Sequence, residues 1–276
     1  MQMNWLESLI YGFLSGLAEF LPISSRAHGV LFCELTGSQD DALLRLFIHL
    51  GALAALLIAC APMISRLNRE RRIASIPKKR RKRQPDIKSL MDIRVLKTAT
   101  VSLLICFLAW PIVNDLHERL WVLALLMAVN GIVLYVPQFL PGANKDSRSV
   151  SAVDAFLMGL GGGAGVIPGI SRIGTSVSVG LVRGTERRYA LDTALLLCIP
   201  ALIVMLLIDL AGLFAGVGTI SLLRILICLL SGLSALGGAA LGIFSMRFLS
   251  FKAGFSGFAY YCWGVALFAF ILYLTI

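Results

Sequence analysis

The sequence predicts an all-α polytopic membrane protein built as an inverted-topology repeat. Each half would be one re-entrant broken hairpin plus three transmembrane helices. Three observations carry that reading. Of the 276 residues, 58% are hydrophobic and 14% charged, and several apolar runs approach or exceed the ~20 residues that cross ~30 Å of hydrocarbon. Twenty of the 25 Lys and Arg fall in connections that lie on one side of the membrane, which is the positive-inside pattern. Two apolar segments are also interrupted by the same punctuation, Pro22-Ile-Ser-Ser25-Arg26 and Pro168-Gly-Ile-Ser171-Arg172. Matched, broken, polar-bearing segments in two halves are the sequence sign of a repeat whose binding site lies at the repeat interface.

Taken in order, Trp5 to about Leu35 is apolar but broken at Pro22, which gives two half-helices instead of one span. Gly37 to Asp41 is a polar turn, and Ala42 to Ile64 is a full span carrying His49. The basic loop 66–97 holds thirteen Lys and Arg, densest at Lys78 to Arg83. Such a run suits nucleic acid or anionic lipid. With the remaining charge distributed between spans, it reads as a cytoplasmic topology anchor, and the net charge of +10 does not point to nucleic acid. Thr98 to Val113 is a short span, 114–119 an external turn, and Leu120 to Val136 returns inside. A linker with Pro141, Lys145 and Arg148 separates repeat 1, about 1–140, from repeat 2, about 150–276, within one integral membrane domain.

Val153 to Leu181 is the second broken segment, followed by Arg183, Arg187 and Arg188 on the inside. Tyr189 to about Leu213 spans outward, kinked at Pro200, with Asp209 near its outer end. After a glycine-rich turn, Ile220 to Phe244 spans inward to Arg247 and Lys252, and Phe255 to Ile276 spans outward. Three spans per half is an odd number, so the second half has the opposite orientation, whatever the motif match says. Six cysteines lie singly in apolar segments, a pattern for packing and not for disulfides or zinc. The N-terminus lacks the basic n-region of a cleavable signal.

The chemistry concentrates at Glu19, Ser24, Ser25, Arg26 and His28. Ionisable groups at membrane depth are costly and mark functional sites. An Arg fork matches phosphate oxygens, and a half-helix N-terminus adds N–H donors and a positive dipole end. Ser25-Arg26 and Ser171-Arg172 would each open a second half-helix, placing hydroxyl, guanidinium and helix terminus together. Arg172, flanked by Ile170 and Ile173, has the least structural excuse. Glu19 serves as metal ligand, general base or orienter, or only as an ion-pair partner of Arg26 or Arg172. His28, three residues after Ser25, shares its helical face, or is a structural hydrogen-bonded residue. Ser24 and Ser25 also suit helix caps. Gly161 to Gly163 permit close backbone approach, and His49 and Asp209 suit an interhelical hydrogen bond.

These residues resemble the undecaprenyl-diphosphate phosphatases associated with bacitracin resistance, over nearly the whole chain. Gly16-Leu-Ala-Glu19-Phe-Leu-Pro-Ile-Ser-Ser25-Arg-Ala-His28 resembles the family's first motif, and Pro168-Gly-Ile-Ser171-Arg172 its second. Tyr189-Ala190 through Pro200 resembles the helix that follows. The resemblance implies a multi-pass enzyme of the bacterial plasma membrane with an outward-facing site. It would hydrolyse the C55 diphosphate to the monophosphate with a divalent cation, Mg²⁺ or Ca²⁺, and so recycle the lipid carrier of cell-wall synthesis. It implies Glu19 as metal ligand, Ser25 as nucleophile with His28, and Ser171 and Arg172 as the phosphate-binding pair, with Ser24, Arg26 and Ser176 beside them. Its partners are the polyprenyl diphosphate lipid and the bilayer, with no nucleic acid and a homodimer left open.

The chain departs from the family pattern at three places. The first motif glutamate is Ser15, the residue after Ser25 is Arg26, and Ile173 replaces a serine. The later motif threonine aligns with Ser176, or with Thr175 after a one-residue slip. A cation held by two glutamates would keep one. Arg26 replaces its charge but not its Lewis acidity. A flippase for the lipid monophosphate and a nonenzymatic lipid-binding protein are the competing readings.

Overall fold

The computed structural model describes residues 3–113, 119–140, 142, 144–216, 221–252 and 255–275, without the side chains of 250–252. The expected external turn at 114–118, Pro141 of the linker and the core of the glycine-rich turn lie outside the described residues, as does the Lys252 side chain.

The helices are α1 (Trp5–Phe20), α2 (Ser25–Thr36), α3 (Ala42–Ser75), α4 (Ile87–Cys106), α5 (Trp110–Val113), α6 (Leu120–Tyr135), α7 (Ala152–Gly163), α8 (Arg172–Val182), α9 (Arg187–Ala215), α10 (Leu222–Lys252) and α11 (Ser256–Thr275). Local chemistry sets their ends. Asn4 and Glu7 form a reciprocal capping box at the start of α1, and Ser151 with Asp154 forms another at α7, each satisfying backbone donors that a helix start leaves open. Asp41 caps α3 through Leu44 N at 2.8 Å and also accepts from Arg224 at 2.7 Å.

Six segments are long and apolar enough to cross a membrane: Ala42–Ser75, Ile87–Val113, Leu120–Phe139, Arg187–Ala215, Leu222–Leu249 and Ser256–Thr275. Leu108, Ile112 and Phe214 project outward with 78–80% of their surface open. Apolar side chains so exposed need lipid around them. The chain is a multi-pass α-helical membrane protein.

One expected boundary moves. The basic stretch 66–97 is mostly helical, because α3 continues to Ser75 and α4 begins at Ile87. Only 76–86 connects them. Nothing in Arg66 to Ser75 breaks a helix before Pro77, so the helix runs on past the apolar stretch. Glu70 closes the connection by accepting from Arg83 Nη2 at 2.5 Å and Asp86 N at 3.0 Å.

The order of elements repeats. Two short helices and three long ones, α1, α2, α3, α4 and α6, are matched by α7, α8, α9, α10 and α11. The packing repeats as well: α1 lies on α10 and α7 on α4; α3 lies on α10 and α9 on α4. Counterparts α3 and α9, and α6 and α11, pack on each other. They run antiparallel. His49, near the start of α3, meets Asp209, near the end of α9, at 2.6 Å. Tyr135 at the end of α6 meets Tyr260 at the start of α11, with ring centroids 5.8 Å apart.

The two equivalent seams are made of small residues. On α1, Gly12 and Gly16 face Ser231 and Ala235 of α10, and two serines of α10 donate across the seam: Ser231 to Ser8 O at 2.7 Å and Ser234 to Leu9 O at 2.9 Å. On the other side, Ser102 of α4 donates to Phe156 O of α7 at 2.8 Å. Small residues let backbones approach where lipid offers no hydrophobic drive to associate. A Cβ at Gly16 would stand 2.1 Å from Ala235 O. Gly16→Ala therefore forces α1 off α10 and is expected to lower stability by about 1–3 kcal/mol, read as a lower Tm in detergent. Gly237→Ala is the control, since nothing lies within 4 Å of its Cβ; equal melting of the two variants would contradict this seam.

Candidate active site

The site forms where the two breaks meet. After α1, residues 21–24 leave the helix; after α7, a 3-10 turn (Ala164–Val166) leads to Pro168 and Gly169. Each loop satisfies the other. Ser171 Oγ donates to Leu21 O at 3.2 Å, and Gly169 N donates to Ser24 Oγ at 3.1 Å. Asn130, from the middle of α6, clamps both: its Nδ2 donates to Pro22 O at 3.2 Å, and its Oδ1 accepts from Ser171 N at 2.9 Å. Freed backbone at membrane depth requires such partners.

The turns carry unusual backbone. Gly169 has φ +93°, and Ser24 has φ +58°. Positive φ is natural for glycine but costs a serine of order 1 kcal/mol or more, and such residues cluster at functional sites. The hydrogen bond from Gly169 holds Ser24 there, so Ser24 is a structural tie and gives α2 no side-chain cap. Ser171 does cap α8, accepting from Gly174 N at 3.1 Å.

The loops set the charged groups in place. Glu19, in the last turn of α1, is the hub. Its Oε1 pairs with Arg172 Nη1, and its Oε2 accepts from Ser25 Oγ at 2.5 Å. Arg172 is 8% exposed, and its Nε has no hydrogen-bond partner among the described residues. Arg26 donates from Nη1 to Val166 O at 2.9 Å, and its guanidinium carbon lies 4.1 Å from the centre of the Trp110 ring, a cation–π placement. Glu19, Ser24, Ser25, Arg26, Ser171 and Arg172 line one small pocket of about 30 Å³. Glu19, Ser25 and Arg26 also border a cavity of about 650 Å³.

The large cavity contains a second polar chain. Tyr11 donates to Asp40 at 2.8 Å, Arg45 bridges Asp40 at 3.0 Å and Asp209 at 3.2 Å, and Asp209 meets His49 Nδ1 at 2.6 Å. All five border the cavity. His49 and Asp209 form the expected interhelical hydrogen bond, and they also line the cavity.

Two expected site residues lie elsewhere. His28 is not brought to Ser25: its Nδ1 faces Ser24 O at 2.8 Å, its Nε2 meets Tyr261 OH at 2.8 Å, and its ring stacks on Tyr261. A carbonyl only accepts, so Nδ1 carries the proton and Nε2 accepts from the tyrosine. Ser176 donates to Met158 O at 3.0 Å, and Thr175 to Gly161 O at 2.5 Å. These hydroxyls tie α8 to α7. Asn130 and Trp110 are site residues that no local motif marks; the signal for Asn130 is a lone amide in an apolar helix.

The divalent cation implied by the resemblance would find one motif carboxylate among these donors. The one motif carboxylate, Glu19, already serves Arg172 and Ser25. The residue one turn earlier on the same face is Ser15, which borders the cavity. Among the described residues no three His, Cys, Asp or Glu converge to hold an ion.

Comparison with known proteins gives matches over most of the chain. The family model described as bacitracin resistance protein BacA matches residues 8–268. Curated relatives named undecaprenyl-diphosphatase include one from Methanobrevibacter smithii, 30% identical over 99% of each chain. One from Treponema denticola is 31% identical over 90% of this chain and 88% of its own. Another from a Nocardioides species is 32% identical over 72% of each.

Proposed function

The chain belongs to the bacitracin resistance protein BacA family, and on that premise we propose how it hydrolyses undecaprenyl diphosphate to the monophosphate. The observation that carries the mechanism is the single pocket formed by both motif loops, where a hydroxyl, a carboxylate and two guanidiniums converge. Ser25 is the nucleophile, and Glu19, at 2.5 Å from its Oγ, is the base that takes its proton. Arg172 and Arg26 hold the phosphoryl oxygens, aided by the N-terminus of α8. Ser171 and Ser24 hold the loops. His28 orients α2 against α11. The guanidiniums neutralise the charge on the phosphoryl oxygens.

The antiparallel pairing of counterpart helices supports reading the halves as an inverted repeat. The cavity adjoins the start of α3, and the basic connection 76–86 follows its end. With that connection cytoplasmic by the positive-inside rule, the cavity opens outward in a bacterial inner membrane. The lipid tail stays in the bilayer while the diphosphate enters the cavity. This arrangement recycles the lipid carrier.

Purified protein in detergent should release phosphate from the C55 diphosphate, and right-side-out vesicles should do so without detergent. Ser25→Ala should lower the rate at least about 10³-fold, as for loss of a nucleophile. No release by folded wild-type protein would overturn the assignment; turnover only from the opposite face would overturn the orientation.

A further inference from the structure

A nucleophilic serine leaves one task undone. Once Ser25 carries the phosphoryl group, a water must be activated to free it, and Glu19 then holds the proton that Ser25 gave up. The imidazole nearest in sequence, His28, has both ring nitrogens engaged by Ser24 O and Tyr261 OH. The other imidazole of the site is His49. It borders both the large cavity and the small pocket that holds Ser25, Glu19 and Arg172.

Its tautomer follows from its partner. Asp209 Oδ2 lies 2.6 Å from Nδ1, and an ionised carboxylate only accepts. Nδ1 therefore carries the proton, and in the neutral imidazole the lone pair sits on Nε2, which has no hydrogen-bond partner among the described residues. Asp209 is 3% exposed and is fixed in turn by Arg45 at 3.2 Å. A buried carboxylate that orients an imidazole lining the pocket of the reacting groups is the arrangement of a general base. The charged groups that share its cavity and pocket are Glu19 from α1, Arg26 and Glu34 from α2, Asp40 from the turn that follows, Arg45 from α3, Arg172 from α8 and Asp209 from α9.

We propose that His49 is the general base for the second half of the reaction, with Asp209 as its positioning residue. The inference rests on the assignment of Ser25 as nucleophile. In the first step Ser25 Oγ bonds to the terminal phosphorus, its proton passes to Glu19, and the bridging P–O bond breaks. Its electron pair leaves on the lipid monophosphate. In the second step water attacks the phosphoserine phosphorus and its proton passes to His49 Nε2. The bond to Ser25 Oγ breaks, Oγ recovers the proton from Glu19, and inorganic phosphate departs. His49 then releases its proton to the cavity.

The test follows both products with substrate radiolabelled in the terminal phosphate. Wild-type protein should turn over with little label on the enzyme. His49→Gln keeps an amide donor for Asp209 but holds no proton-accepting nitrogen. It should release one equivalent of lipid monophosphate in a burst and retain label on Ser25. Steady-state phosphate release should fall about 10²–10⁴-fold. Asp209→Asn should show the same retained label, and Asp209→Glu should restore turnover; this pair carries the test if His49→Gln does not fold. Turnover of His49→Gln within about threefold of wild type, or a slow variant with neither burst nor label, overturns the role of His49. A wild-type protein without turnover overturns the phosphatase assignment instead.

Discussion

Arg172→Gln is expected to lower phosphate release from the lipid diphosphate by about 10²–10³-fold, the usual cost of removing one preorganised donor to developing charge. Arg172 stands at the first turn of α8, so it adds a planar fork to the positive end of a helix. Its Nε–H lacks a partner among the described residues, which leaves a donor for a phosphoryl oxygen. The change is best made to Gln. Gln keeps an amide donor toward Glu19 where Ala keeps none, but either change leaves that buried carboxylate without its cation, a defect costing about 3–5 kcal/mol by itself. The double variant Glu19→Gln/Arg172→Gln removes that problem. It should melt close to wild type and remain inactive. Lys at position 172 should not rescue, because a point charge does not reproduce a planar fork. Full activity of Arg172→Gln at unchanged KM would remove Arg172 from the mechanism.

If Arg172 and Arg26 carry the charge that a cation would otherwise supply, chelation leaves turnover within about twofold. Arg26 should carry that charge. Arg26→Thr should lose about 10²-fold without any gain from added Mg²⁺ or Ca²⁺. Ser15→Glu/Arg26→Thr places a second carboxylate one turn from Glu19 and removes the guanidinium. Its activity should depend on Mg²⁺ or Ca²⁺. The decisive contrary result is wild-type activity that EDTA stops and either ion restores.

The sequence made one half of this site readable because its elements are local. Glu19, Ser25 and Arg26 lie within eight residues, and the repeat of Pro-x-x-Ser-Arg pointed to Ser171 and Arg172 as their partners across the fold. Apolar runs of spanning length gave the six crossings. What failed was rotation about a helix. His28 follows Ser25 by three, a spacing compatible with one face, yet its ring reaches the carbonyl of Ser24 and the ring of Tyr261. Ser176 follows Arg172 by four, but a short hydroxyl ends at the next helix while a long guanidinium spans the pocket. His49, Asp209, Asn130 and Trp110 come from four other helices, and no local spacing records such convergence. The overlong α3 is a different case: charge marks where lipid ends, not where a helix ends.

The clamp of Asn130 on both loops bears on how the protein is made. Ser24 waits for Gly169, 145 residues later, and Leu21 O waits for Ser171, 150 residues later. Until the second break has been synthesised and inserted, the first presents open carbonyls and a strained serine to the bilayer. The N-terminal half is therefore an incomplete object in the membrane, held in a provisional state through synthesis. A chain that stops after α6 has no native arrangement to reach, and quality-control proteases would meet it as a substrate.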